Sequence, residues 1–283
     1  MEIEFHRNGL KDRNDSFCAL FNMLKLSTDI IPLFIRKDGL FIQGMNKSQV
    51  GLFQLFLAKD WWEKYDYTSD KDSFQINMNL VVFSQILNNN NSCDIIKIVY
   101  NENEADKINI EAIYNSGNNN NLVKSQNYLP NKTYELCLFD LEYEQMETNN
   151  NEYDAEFSIN SKCIENLISE AKDFGDSLMF HCTDSVIHLN SKNLNSEVKI
   201  EIPIDELSEY SIIEDQAVSV SISIQYLYKS AITSKLSNLV NIYIKEEIPI
   251  KINYNLDDFP FGGEDANSTG SYLEFYIAPK FED

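Results

Sequence analysis

The sequence predicts an α+β protein of two similar domains, each an antiparallel sheet with a pair of short helices on one face. Three observations carry this. Four short segments have helical apolar spacing, strand-like stretches fill the sequence between them, and a polar stretch without apolar periodicity sits at mid-chain. The 283 residues suit about two domains at roughly 150 residues each. Hydrophobic residues make up 43% of the chain, enough for a real core, so global disorder is not expected despite the charge.

Phe17, Leu20, Phe21 and Leu24 fall at i, i+3, i+4 and i+7, one face of a first helix. The turn Lys37-Asp38-Gly39 then leads into a strand, Leu40-Phe41-Ile42-Gln43. Phe83, Ile86 and Leu87 mark a second helix. Two runs of four asparagines follow, Asn88–Asn91 and Asn118–Asn121, read as turns or loops that arose by compositional drift. The polar stretch from Glu142 to Asp154 reads as a linker, which sets domains at 1–141 and 155–283 with a connector at 142–154. Beyond it, Ile164, Leu167, Ile168 and Ala171 predict a third helix, and Ile224, Leu227, Tyr228 and Ala231 a fourth. Val218, Val220, Ile222 and Ile224 alternate with serines, the period of a half-buried strand. Ile248, Ile250, Ile252 and Tyr254 alternate likewise, with Pro249 near the strand's start, where a missing N–H is tolerable. A last loop, Asp257 to Gly270, carries Pro260 and Gly262-Gly263. Two helices per half imply an internal duplication of topology, although sequence identity between the halves is weak.

Charge and motif searches exclude several function classes. Lys and Arg total 23 against 45 Asp and Glu, a net charge of −22. A free surface so acidic repels phosphate backbones and argues against ordinary groove or patch binding to nucleic acid. No apolar run reaches the roughly 18 to 20 residues of a membrane helix, and Met1 to Arg7 lack the layout of a signal peptide. Cys18, Cys93, Cys137, Cys163 and Cys182 are odd in number and never spaced C-x-x-C, so they read as buried thiols in a reducing, intracellular compartment. Asn131-Lys132-Thr133 is then a chance match to a glycan site. No phosphate-cradling glycine loop is present. His181 and His188 lie near Cys182 and Asp184 but without metal or nucleophile spacing, and read as ordinary strand residues. Glu246-Glu247 and Asp257-Asp258 lack calcium-loop spacing. No catalytic residue, metal or cofactor is expected.

Four segments, in order, carry a resemblance. Gly39 to Leu55 (GLFIQGMNKSQVGLFQL) resembles the region around the central loop of the proliferating cell nuclear antigen family. Tyr134 to Glu142 (YELCLFDLE), with Gln145 and Glu152-Tyr153, looks like that family's interdomain crossover, and Asp173 to Cys182 also aligns. Tyr272 to Asp283 (YLEFYIAPKFED) is similar to its closing strand and tail. The resemblance implies a non-enzymatic ring of three identical chains, threaded by duplex DNA, with helices lining the hole and sheets forming the outer wall. It implies DNA polymerase, clamp loader and other replication or repair proteins as partners, and action in the nucleus or a viral replication compartment. A closed ring stays on DNA by topology, so an acidic exterior is compatible with DNA inside.

The resemblance also implies site residues. A partner peptide would enter a pocket formed by Met45, Val50, Leu52, Met146, Thr148, Pro249, Tyr276, Ala278 and Pro279, with Gln49 in place of the family's histidine. Lys25 matches a DNA-facing lysine, whereas Cys18, Ala19, Gln85, Asn88, Asn166, Ser169 and Ile232 stand where basic residues are usual. Lys11, Arg13, Lys162, Lys172, Lys229 and Lys235 are nearby candidates to compensate, with Lys25, Lys229 and Lys235 the first choice. Tyr134 matches an interface tyrosine, whose partner strand would run from Leu194 to Glu201 with Val198 and Ile200 as apolar contacts. The depleted inner charge keeps two alternatives open. One is a non-encircling processivity factor or heterotrimeric checkpoint-clamp subunit; the other is a protein-only scaffold.

Overall fold

A computed structural model of the chain describes residues 2–6, 11–104, 106–114, 129–148, 152–214, 216–228, 233–257 and 270–280. The first half contains β1 (Glu2–His6), α1 (Lys11–Leu24), β2 (Ile30–Arg36), β3 (Gly39–Met45), β4 (Gly51–Ala58), β5 (Lys64–Asp66), β6 (Ser73–Asn79), α2 (Leu80–Asn89), β7 (Ile95–Tyr100), β8 (Lys107–Ile113) and β9 (Lys132–Phe139). The second contains β10 (Ala155–Asn160), α3 (Ser161–Ala171), β11 (Ser177–Cys182), β12 (Val186–Lys192), β13 (Glu197–Pro203), β14 (Glu209–Ile212), β15 (Val218–Ser223), α4 (Ile224–Tyr226), β16 (Leu239–Ile244), β17 (Ile250–Asn255) and β18 (Tyr272–Ile277). Among the described residues the order is the same in both halves: one strand, a helix, five strands, a helix, three strands.

The repeat extends to how helices begin. The last residue of β6, Asn79, accepts a hydrogen bond from Val82 N at 3.0 Å and caps α2. The last residue of β10, Asn160, accepts from the amides of Lys162 and Cys163 and caps α3. In each case an asparagine side chain satisfies amides that the first helical turn leaves without partners. The first three predicted helical stripes turn inward: Phe17, Leu20, Phe21 and Leu24 are buried, as are Phe83, Ile86 and Leu87, then Ile164, Ile168 and Ala171 with Leu167 half-buried. Of the fourth, Ile224 and Leu227 are buried but Tyr228 is exposed.

Fourteen strands form one sheet in the order β14-β10-β16-β17-β18-β4-β3-β2-β6-β9-β8-β7-β1-β5. It crosses from one half to the other where β18 pairs antiparallel with β4, from Gly51 opposite Ile277 to Phe56 opposite Tyr272. A second sheet, β13-β12-β11-β15, belongs to the second half alone. Phe17, Phe21, Phe83, Trp61 and Trp62 pack edge-on or tilted over the first half's inner face.

Several sequence expectations need correction. Ile224 begins α4 rather than ending β15, and α4 is a single turn before residues outside the description, among them Ala231. Cys93 and Cys182 are buried, but Cys137 and Cys163 are exposed: strand and helix periodicity turns them to the solvent face. Asn90, read as drift, is a buried residue with four hydrogen-bond partners, described below. Asn118–Asn121, Pro260 and Gly262-Gly263 lie outside the described residues.

One contact wedges the halves together. A Cβ placed on Gly51 of β4 would lie 2.1 Å from the ring of Tyr226 in α4, so only glycine leaves room for that buried phenol. Gly51→Ala should lower stability by about 1–3 kcal/mol in chemical denaturation. Combined with Tyr226→Leu, the loss should be smaller than the sum of the two single changes.

Candidate functional site

A cavity of about 290 Å³ opens on the outer face of the β4–β18 junction. Leu52 and Tyr276 stand opposite each other on these strands and make its floor. Met45, Gln49, Val50 and Gly51 come from the end of β3, the turn after it and the start of β4; in the turn Gln49 adopts a positive φ of 58° and the Asn46 Oδ1 accepts from the amides of Val50 and Gly51. Pro249 and Ala278 flank the opposite side, and Glu147, Thr148 and Tyr153 of the connector close the wall. Seven predicted residues therefore meet: Met45, Val50, Leu52, Thr148, Pro249, Tyr276 and Ala278. Met146 and Pro279 do not line the cavity. Met146 is tied back to Gln43, and Pro279 bridges to Ile222 instead. Gln49, which stands in place of the family's histidine, is among the lining residues, and Gly51, Glu147 and Tyr153 complete the lining without having been predicted as pocket residues. The signal for Tyr153 was an isolated aromatic at the far end of a polar connector.

Beside the floor, on the same face of the sheet, lies a buried carboxylate. Glu274 accepts from Lys251 Nζ at 2.6 Å, Gln54 Nε2 at 2.6 Å, the Tyr276 hydroxyl at 2.8 Å and Asn253 Nδ2 at 3.3 Å. Burial pushes its pKa upward, but the Lys251 ammonium and these hydrogen bonds outweigh burial and hold it below the usual carboxylate range. The same burial, with the Glu274 charge beside it, pushes the Tyr276 phenol well up, so it stays a neutral donor. A wider cleft of about 910 Å³ opens near the connector's start, where β9 leaves β6 after pairing only at Asn77 and Met78. Asp106, Asp140, Glu142 and Glu144 line it.

Among the described residues several strand edges are open, β5 and β14 included, and one in each half carries residues singled out in the sequence. Over Lys132–Cys137, β9 pairs only with β8, and β13 pairs only with β12. Tyr134 sits on the first edge, half-buried, with its hydroxyl accepting from Asn90 Nδ2 at 3.0 Å. That same Nδ2 donates to Ile86 O at 2.7 Å, while Asn90 Oδ1 accepts from the Tyr114 hydroxyl at 2.8 Å and Lys132 Nζ at 3.2 Å. One buried amide at the end of α2 thus anchors both Lys132 and Tyr134. On the second edge Val198 and Ile200 are half-buried against the core. Leu194 departs from expectation: it is fully exposed in the Asn193–Ser196 turn before β13, because the Asn193 side chain bonds the Asn195 and Ser196 amides and delays the strand.

With this geometry in view, comparison with known proteins is decisive. Residues 17–145 match the family model "Proliferating cell nuclear antigen, N-terminal domain", and residues 147–262 match the corresponding C-terminal domain model. The chain belongs to the proliferating cell nuclear antigen family. It is 24% identical over 273 residues to DNA polymerase sliding clamp 3 of Sulfurisphaera tokodaii, covering 95% of this chain and 97% of that one. It is 23% identical to proliferating cell nuclear antigen 2 of Drosophila melanogaster, over 87% of each chain. Among solved structures, a chain of the PCNA2–PCNA3 complex from Sulfolobus tokodaii superposes with a TM-score of 0.77 at 20% identity, covering 100% of both chains. PCNA from Thermococcus kodakaraensis gives 0.79 at 18% identity, covering 99% of both.

The helix faces of this family member carry little free positive charge among the described residues. Lys25 donates to Asn22 Oδ1 at 2.8 Å, and Asn22 and Asn88 exchange two amide hydrogen bonds at 2.9 and 2.8 Å. Lys162 pairs with Glu165 at 3.2 Å, and the Lys172 ammonium lies 3.9 Å from the Tyr228 ring centre. Lys235 is exposed just before β16, Lys11 and Arg13 fall in the first turn of α1, and Lys229 lies outside the described residues.

Two outcomes are expected. Because the pKa of Glu274 is lowered on folding, its stabilisation is full above the ordinary value near 4.5 and is lost as pH falls through the folded value. Glu274→Gln should flatten the acid limb of a stability–pH profile measured by denaturant titration. Asn90→Leu should cost about 1–3 kcal/mol in the same assay, since it strips partners from Tyr114, Lys132 and Tyr134.

Proposed function

We propose that this chain is a DNA sliding clamp, a processivity factor that closes into a head-to-tail homotrimer around duplex DNA. Its domains are 1–141 and 155–283, joined by a connector at 142–154. The observation that carries the reading is the pair of open strand edges, one from each half. An edge strand is a template for pairing, and head-to-tail closure satisfies these two edges without leaving either as a template for unlimited growth. Joining β9 of one copy to β13 of the next sets Tyr134 against Val198 and Ile200, with the exposed Leu194 at the rim. The relatives named as sliding clamps over nearly the full length support the same reading.

The ring acts without catalysing a reaction and needs no cofactor. Its helix faces line the hole, where Lys25, Lys229 and Lys235, aided by Lys11, Arg13, Lys162 and Lys172, make weak sequence-independent contacts to phosphates. DNA polymerase, the clamp loader and other replication or repair proteins dock by short peptides whose apolar anchors fill the pocket over Leu52 and Tyr276. It works where DNA is copied: the nucleus, or a viral replication compartment.

Sedimentation of the pure protein tests the ring. A trimer is expected, with Tyr134→Ala shifted toward monomer; a wild-type monomer would favour the non-encircling alternative. Loaded protein should be retained on nicked circular DNA and lost from linear DNA, an outcome a protein-only scaffold cannot give. Changing Lys25, Lys229 and Lys235 together to Ala should lower processivity and flatten its salt dependence. Calorimetry with a peptide bearing the family's interaction motif should report micromolar binding, on the order of −8 kcal/mol, abolished by Tyr276→Ala.

A further inference from the structure

A row of polar side chains crosses the outer face of the long sheet in register. Gln43 stands opposite Gln54, Gln54 opposite Glu274, Glu274 opposite Asn253, Asn253 opposite Asn241, and Asn241 opposite Ser158. An outer sheet face carrying amides is ordinary; what lies on this one is not. The connector crosses the strands along the same line and is bonded to one amide after another. Asn77 Nδ2 donates to Phe139 O at 3.1 Å and to Leu141 O at 2.7 Å, and Gln75 Nε2 donates to Leu141 O at 3.2 Å. Farther on, Gln43 Nε2 donates to Met146 O at 2.8 Å while Met146 N donates to Gln43 Oε1 at 2.8 Å. The amide of Gln54 then reaches the Thr148 hydroxyl at 3.4 Å.

The Gln43 contact differs in kind from the others. Its primary amide copies the peptide group of a neighbouring strand, giving one donor and one acceptor to the same backbone residue. It is also nearly inaccessible, with Gln43 only 1% exposed, so water competes poorly for either bond. The remaining described ties nearby are weaker: the long Arg36–Gln145 contact at 3.4 Å is exposed, and Tyr143 packs on Phe34 without a bond to its hydroxyl. Glu147 and Thr148, the next two residues, are wall residues of the partner cavity.

We propose that Gln43 is a positioning residue for partner capture: its two-bond clasp on Met146 holds the connector in the peptide-ready course before any partner arrives. This rests on the partner-pocket reading above. A connector of polar residues with no apolar periodicity has no intrinsic preference for one path. Without the clasp, a peptide must order the wall as it binds, and the entropy of ordering is subtracted from its affinity. Gln43 does not line the cavity, and among the described residues its side-chain hydrogen bonds are the two to Met146, so the connector is its route to the partner.

The test uses the full chain with Gln43→Leu, which keeps size but removes both bonds, and Gln43→Glu, which removes the donor and turns a carboxylate toward Met146 O. Hydrogen exchange at the Met146 amide should be at least tenfold faster in Gln43→Leu. Both variants should bind the motif peptide at least tenfold more weakly by calorimetry, with sedimentation unchanged. Wild-type binding that survives in both variants would overturn the proposal, as would unchanged Met146 exchange. Failure of the unaltered protein to bind the peptide would instead remove the pocket reading, and this inference with it.

Discussion

Where β4 meets β18, Leu52 stands opposite Tyr276 and Gln54 opposite Glu274. These strands are more than two hundred residues apart in the chain, and their antiparallel ladder is the seam on which both halves depend. A strand's side chains alternate between faces, so a slip of one residue would exchange every core residue for an outer one. Phe53, Leu55, Phe275 and Ile277 are all buried on the core side, and that burial fixes the register. The outer side then has no freedom: Tyr276 must floor the cavity and Glu274 must lie beside it on the same face. Lys251, Gln54 and Asn253 supply the charge and hydrogen bonds that make a buried carboxylate tolerable there.

Charge acquires a different meaning once the architecture is known. A net −22 opposes attraction of DNA to the outside of the molecule, yet enclosure requires no attraction, only a hole and closed edges. On the described helix faces, amide pairs such as Asn22 with Asn88 occupy ground where ammonium groups would strengthen phosphate binding. Lys162 and Lys172 are engaged with Glu165 and Tyr228. In the proposed clamp, weak contact at these faces suits movement along DNA, because each phosphate bond made is one that movement has to break.

The edges follow from the same economy of pairing. β9 can present an open side because β6 leaves it after two residues, and Asn90 keeps that side in place by bonding Tyr134 and Lys132 from the end of α2. This asparagine belongs to a run that reads as featureless in the sequence. Its role comes from helix geometry, which turns the third residue of the run inward while its neighbours stay near the surface.

The sequence by itself determined the element types, because helical and strand periodicities report which face of each local segment is apolar. It also determined the two-fold repeat of elements and, through Gly39–Leu55 and the Tyr272–Pro279 tail, the family. The resemblance also named seven of the nine expected pocket residues that line one cavity, which the β4–β18 pairing brings together. What only the tertiary structure decided depends on partners far away in the chain. Met146 left the cavity because Gln43, 103 residues earlier, clasps its backbone, and the connector proved bound rather than free. The buried carboxylate of Glu274 likewise draws partners from other strands, Gln54 from β4 and Lys251 and Asn253 from β17. Local periodicity cannot report any of these, since each is settled by contacts between segments that meet only after the chain has folded.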